Sequence, residues 1–440
     1  MFLPPRFVVI DDNPKHLGAI LSVFQELGTS CLGVVFDPER GLENQRFDGV
    51  RGLFVDLHLT ESTVTTDETR HFATIAGILE TSISPAGGPF VLVVWTEHEQ
   101  YVQGLKEYLD ESLDDDAKPH TRPIAVMGLP KDRFIEIATG KILGHKAEEL
   151  RDAVEGTLSE KPQLAALLAW EADVVAAAGA TLSTLIDLVP VKQRGSTTFA
   201  SGLDEVLSRL ASAAVGEPHV GDDRRAAITT ALAPILADRI VNQTVSPANA
   251  EIWERAVTRK GKGAVSPKMA GMVNRMLHVA IPASEAIQPT DWGAVVEFPY
   301  ELDDNTLQRL FGVTSDQLLH KEFKIEQKDR DRCRPRLVRV GAACDHAQNR
   351  LGPLWYLFGL EIACDIKRNP PSASEWSSPY LLLEPNADPF FLAVNSRYSV
   401  NVPRAEAGKW QRAYRLREQL IMHLISHAGS YLTRPGIVQL

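Results

Sequence analysis

Apolar positions in the first third of the chain come in short unbroken runs separated by segments of helical period. RFVVID (6–11), SCLGVVF (30–36), GLFVDLHL (52–59), PFVLVVWT (89–96) and RPIAVMGL (122–129) read as five strands. Between them, NPKHLGAILSVFQELG (13–28) puts Leu17, Ile20, Leu21, Phe24 and Leu27 on one face of a helix. TRHFATIAGILETSI (69–83) and EQYVQGLKEYLDESL (99–113) are helical in the same way, and KDRFIEIATGKIL (131–143) reads as the start of another helix. The stretch from Pro38 to Val50 is weakly helical or loop. Strands apolar throughout are buried on both faces, which indicates a parallel sheet, and their alternation with helices predicts an open α/β layer fold.

The pattern then changes twice. Residues 145–240 read as helices: 161–190 as one long helix with Pro162 early and Pro190 as its stop, then 202–216 and 223–241. From about Trp292, WGAVVEFP, RLVRVGAAC, LWYLFGLEIA, PYLLLEP and FFLAVNSRYSV are short strands split by Pro, Asp and Asn. A last helix is expected over 409–432. The domains read as 1–145 (α/β), 146–285 (helical linker or dimerisation region) and 286–440 (small and β-rich, with a C-terminal helix).

Composition adds bounds. With 440 residues, 44% hydrophobic and 23% charged, the chain has the make-up of a soluble globular protein of two or three domains. Four scattered cysteines, Cys31, Cys333, Cys344 and Cys364, make no disulfide framework, so a reducing cytoplasmic setting is expected. No signal segment is read at the N-terminus. The most apolar helix is interrupted by Glu171 and Asp173, so no membrane span is expected. Of the net charge of −11, residues 1–160 carry about −13 and the rest about +2. An acidic N-terminal part disfavours nucleic acid and suits a divalent cation or a basic partner.

In a doubly wound parallel sheet, sites form beyond the carboxyl ends of the strands. The first strand ends at Asp11 and Asp12, the third at Asp56, the fourth at Thr96, and the fifth leads to Lys131. Clustered carboxylates repel unless a cation lies among them, and oxygen ligands suit Mg²⁺. Such a cation can hold a phosphoryl group against Asp56 as nucleophile, with Lys131 neutralising one phosphoryl oxygen and the Thr96 hydroxyl bonding another. Residue by residue there are plainer uses: Asp12 as a helix cap, Asp56 as a turn residue, Lys131 as a solvated lysine.

The five residues, in this order, resemble the receiver domain of bacterial response regulators over roughly residues 5–145. The resemblance implies a flavodoxin-like, doubly wound five-stranded sheet, Asp56 as phospho-acceptor, Mg²⁺ at Asp11, Asp12 and Asp56, and Thr96 and Lys131 as phosphoryl-binding and switch residues. It implies two-component signalling or a phosphorelay, with a histidine kinase or other phosphodonor as partner. The C-terminal region would be the regulated output. Departures are longer gaps, implying insertions near 60–70 and 110–120. Glu97 follows the Thr, Asp132 follows the Lys with Pro130 before it, and Gly128 stands where an aromatic relay residue is usual. In outline the chain is similar to receivers fused to long regions in multi-gene bacterial defence systems, where a partner protein of the same system is implied. A pseudo-receiver scaffold dimerising through 162–189 is an alternative.

The C-terminal part offers a third class, an effector enzyme. Cys344 with His346 is a candidate thiol–imidazole pair, and Cys344, His346 and Cys364 a candidate zinc set without the usual close spacing. His423 and His427 lie four apart without the glutamate of a metalloprotease helix. RKGKG (259–263) is basic enough for phosphate contacts or simply a solvated loop. No independent catalytic motif, and no helix-turn-helix with a basic recognition helix, is found.

Overall fold

The computed structural model describes residues 4–42, 47–60, 68–85, 87–144, 146–159, 161–245, 247–258, 263–283, 285–347 and 352–434. The insertion expected near 60–70, the core of the basic loop (259–262) and the tail from 435 lie wholly or mostly outside them. The chain forms two compact units, Met1–Gly179 with Arg239–Arg259, and Ala180–Asp238 with Lys260–Leu440.

The first unit is α/β. Its elements are β1 (Phe7–Asp11), α1 (Pro14–Glu26), β2 (Cys31–Val35), β3 (Gly52–Val55), α2 (Thr69–Ser82), β4 (Val91–Thr96), α3 (Val102–Ser112), β5 (Ala125–Pro130), β6 (Ile135–Glu136), β7 (Lys141–Ile142) and α4 (Lys146–Ser159). The first five strands form one all-parallel sheet in the order β2-β1-β3-β4-β5. Side-chain alternation divides it into two dry faces. Val8, Ile10, Leu53, Val55, Leu92 and Val94 pack with α2 and α3 through Ile75, Leu79, Leu105 and Leu109. Val9, Phe54, Val91, Val93 and Trp95 pack with α1 and α4 through Ile20, Val23, Phe24 and Leu150. These two apolar layers are why the strands carry no polar face.

One expected helix is absent. Residues 131–143 form a turn and the antiparallel hairpin β6–β7, pairing Ile135 with Ile142. The hairpin turns at Gly140, whose φ of +68° no β-carbon tolerates comfortably and whose missing side chain admits the Lys15 backbone.

Three helices follow: α5 (Pro162–Asp187), α6 (Phe199–Val215) and α7 (Arg224–Val241), as the periodicity predicts. As read, α5 is one continuous helix; Glu171 and Asp173 interrupt its apolar run without keeping it, by length and composition alone, from being apolar enough to cross a membrane. Glu171 instead receives ion pairs from Arg6 at 2.7 Å and Arg51 at 3.0 Å within the first unit. Two more helices, α8 (Pro247–Ala256) and α9 (Pro267–His278), are unforeseen. The signal for α9 was Ser266 before Pro267: the serine side chain accepts from Met269 N, a standard helix start.

The second unit carries a seven-stranded antiparallel sheet in the order β12-β13-β11-β10-β9-β14-β8. Its remaining elements are β8 (Val279–Ala280), β9 (Ala294–Glu297), α10 (Asp304–Phe311), β10 (Cys333–Val340), α11 (Ala343–Ala347), β11 (Leu354–Ala363), β12 (Glu375–Ser377), β13 (Phe390–Val402), α12 (Arg404–Ala407), β14 (Arg412–Leu416) and α13 (Glu418–Leu432). PYLLLEP contributes a single bridge, Leu381 to Phe390, rather than a strand. The last expected helix is half strand: Tyr414 and Leu416 alternate inward and are fully buried, so 412–416 joins β9, and the helix starts only at Glu418.

Candidate functional site

Because β1, β3, β4 and β5 run parallel, their carboxyl ends share one edge of the sheet. Asp11 is the last residue of β1, and Asp56 follows β3 with its N–H bonded to Ile10 O at 2.9 Å. Thr96 ends β4 opposite Pro130, and Lys131 N donates to Thr96 O at 2.8 Å. The ladder that makes the sheet therefore delivers the five expected residues to one place.

Their side chains meet there. The Lys131 ammonium lies 2.8 Å from Asp11 Oδ2 and 2.7 Å from Asp56 Oδ2. Lys131 is 1% exposed and Asp11 0%, which makes this a buried ionic cluster rather than a surface pair. Asp12 completes the acidic group, and one oxygen from each of Asp11, Asp12 and Asp56 lies within 4.8 Å of the others, close enough to hold a metal ion. Asn13, not Asp12, caps α1 by accepting from Lys15 N, so the capping use of Asp12 does not apply.

The electrostatics follow from burial. Desolvation pushes the Asp11 carboxyl up to about 6, Lys131 pulls it back, and Asp56 adds to the rise. Burial and the Asp56 charge also raise Asp12. Three carboxylates against one ammonium leave a formal charge of about −2 when all are ionised, which a divalent oxygen-loving cation would neutralise. The donor set is all carboxylate oxygen, the kind of ligand that suits hard divalent ions such as Mg²⁺.

Three further features shape the edge. His16, on α1, is buried and its Nε2 bonds Ile137 O at 2.8 Å. A carbonyl there requires the proton on Nε2, leaving Nδ1 to accept from Lys131 at 3.5 Å. Thr96 Oγ1 accepts from His98 N at 3.1 Å and is fully buried, while Glu97 is exposed. Gly128 pairs with Val94, and a β-carbon there would lie 3.1 Å from the Glu99 side chain and 3.2 Å from Val102. The space beside Gly128 is thus taken by the segment after β4. In the acidic stretch near 110–120, Arg122 pairs with Asp110 at 2.6 Å and with Asp115.

Sequence reasoning missed four residues at this same edge. His58 and His98 follow Asp56 and Thr96 by two positions each, and Glu68 and His71 open α2. His58 Nε2 lies 3.0 Å from Glu68 Oε2, and the His58 ring stacks edge-on against His71 (4.4 Å) and His98 (4.7 Å). The signal available was the Glu-x-x-His spacing of 68 and 71, which puts both on one helical face.

In the second unit, Cys344 and His346 lie on the short α11. Cys344 is exposed, and its thiol lies 3.9 Å from its neighbour Asp345. Burial lowers the pKa of His346. Cys344, His346 and Cys364 do not form a metal-capable group among the described residues. His423 accepts from the Trp376 indole at 3.1 Å. No protein-family model, curated protein or solved structure matches the chain.

Proposed function

We propose that the first unit is a phospho-acceptor domain of the response-regulator receiver type, with a flavodoxin-like fold, that uses Mg²⁺ and controls the second unit. The observation that carries this reading is the buried Lys131 ammonium bridging Asp11 and Asp56, with Asp12 and Thr96 at the same sheet edge. A carboxylate oxygen of Asp56 forms the new bond to phosphorus as the donor's P–N bond breaks. The electron pair leaves with the donor imidazole, which takes up a proton. Asp11, Asp12 and Asp56 would hold the cation, which supplies charge neutralisation to the phosphoryl oxygens. Lys131 binds one of those oxygens and Thr96 another. The fixed Asp56–Lys131 geometry supplies the positioning on which phosphoryl transfer depends.

The donor is a histidine-kinase-type phosphohistidine, and the output is a protein contact made by the second unit. Incubating the full chain with acetyl phosphate and Mg²⁺ is expected to leave one hydroxylamine-labile phosphate. Asp56→Asn is expected to abolish it. Labelling that persists in Asp56→Asn, or none in wild type with Mg²⁺ present, would sink the assignment.

A further inference from the structure

The geometry points to a second metal site beside the acidic one, in which His58, Glu68 and His71 ligate a zinc-class divalent ion. Two imidazoles and a carboxylate are a nitrogen-rich set, distinct in kind from the all-oxygen Asp11–Asp12–Asp56 group. One ligand atom from each of the three residues lies within 4.8 Å of the others. Zinc bonds of 2.0–2.2 Å in tetrahedral array place ligand atoms roughly 3.3 Å apart, and His58 Nε2 already stands 3.0 Å from Glu68 Oε2. That pair thus already stands near the tetrahedral spacing.

A second observation is the state of His71. It is 5% exposed, and its Nδ1 is buried without a hydrogen-bond partner among the described residues. A buried imidazole nitrogen left unpaired is costly unless something absent here completes it. The His98 ring, packed edge-on against His58, fixes the orientation of that ligand. The site ties the segment after β3 to the start of α2. His58 N lies 3.4 Å from Asp56 Oδ1, so a bound ion fixes the segment that carries Asp56. The inference stands on these residues whether or not Asp56 is phosphorylated.

The test uses the full chain, stripped with chelator and titrated with Zn²⁺ and with Co²⁺ in excess Mg²⁺. One Co²⁺ per chain is expected, with the strong visible bands of a four-coordinate nitrogen and oxygen set. Glu68→Gln and His58→Gln, both partly exposed and so expected to fold, should weaken binding by at least the about 10–100-fold that loss of even an outer-shell partner costs. His71→Ala should do the same, and Asp12→Asn should leave Zn²⁺ affinity unchanged. The proposal is overturned by wild-type chain that binds no Zn²⁺, or by Glu68→Gln and His58→Gln that bind as tightly as wild type. A thiolate-to-cobalt charge-transfer band would overturn it too, by placing the ion on the cysteines.

Discussion

Asp11 has no exposed surface, and its protonation is decided by burial set against the Lys131 ammonium 2.8 Å away. Since its folded pKa stands near 6, above the ordinary 3.8, the folded state binds more protons than the unfolded chain between about pH 4 and 6. The corresponding stability is fully present below about pH 4 and is lost as pH rises through about 6. The difference in proton affinity corresponds to roughly 3 kcal/mol. Urea unfolding in chelator at pH 4.5 and 7 should show Asp11→Asn losing less stability than wild type over that interval. Equal losses in the two proteins would show that Asp11 does not titrate there. Lys131 was legible from sequence as the amine after the fifth strand. Its burial between two carboxylates was not, because charge pairing across strands depends on which strands are neighbours.

At the scale of elements, the hairpin β6–β7 shows how local pattern misleads. KDRFIEIATGKIL has apolar residues at helical and at strand spacings alike, and Gly140 decides between them. Its positive φ makes the turn, and its lack of a side chain lets the hairpin lie against Lys15. Gly140→Ala would put a β-carbon 2.6 Å from Lys15 Cβ and 2.8 Å from its carbonyl oxygen. A loss of about 1–3 kcal/mol is expected in denaturant unfolding of the first unit. The strand β14 was misread for a related reason: Arg412–Leu416 is followed at once by a true helix, and one continuous periodicity was assumed. Inward alternation of Tyr414 and Leu416 was the available correction.

Across the whole molecule, the two units use opposite architectures and different polar devices. The first gathers its buried charges at the carboxyl edge of its parallel sheet. The second buries them mid-sheet: Arg336 on β10 forms a two-pronged pair with Glu361 on β11 at 2.8 and 3.0 Å. Arg336→Met leaves Glu361 buried and unpaired, with an expected cost of about 3–5 kcal/mol. Adding Glu361→Leu should recover most of it. Circular dichroism through a urea titration measures both, and a single variant as stable as wild type would show that the pair contributes little. The helices α5 to α7 were found in sequence more easily than they could be allotted to a domain. Amphipathic period states that a face is covered and is silent on what covers it, and the compact units divide the chain inside α5 and α7.

The sequence by itself determined the five parallel strands of the first unit, their order of polar termini and hence the edge holding Asp11, Asp12, Asp56, Thr96 and Lys131. Continuous apolar runs can be buried only between two helical layers, and parallel strands must end at one edge. Only the tertiary structure decided the Lys131 bridge, the filling of the space beside Gly128 and the meeting of His58, Glu68, His71 and His98. Each of these depends on distances between side chains from separate strands and helices. Such distances are set by packing, which no local pattern encodes.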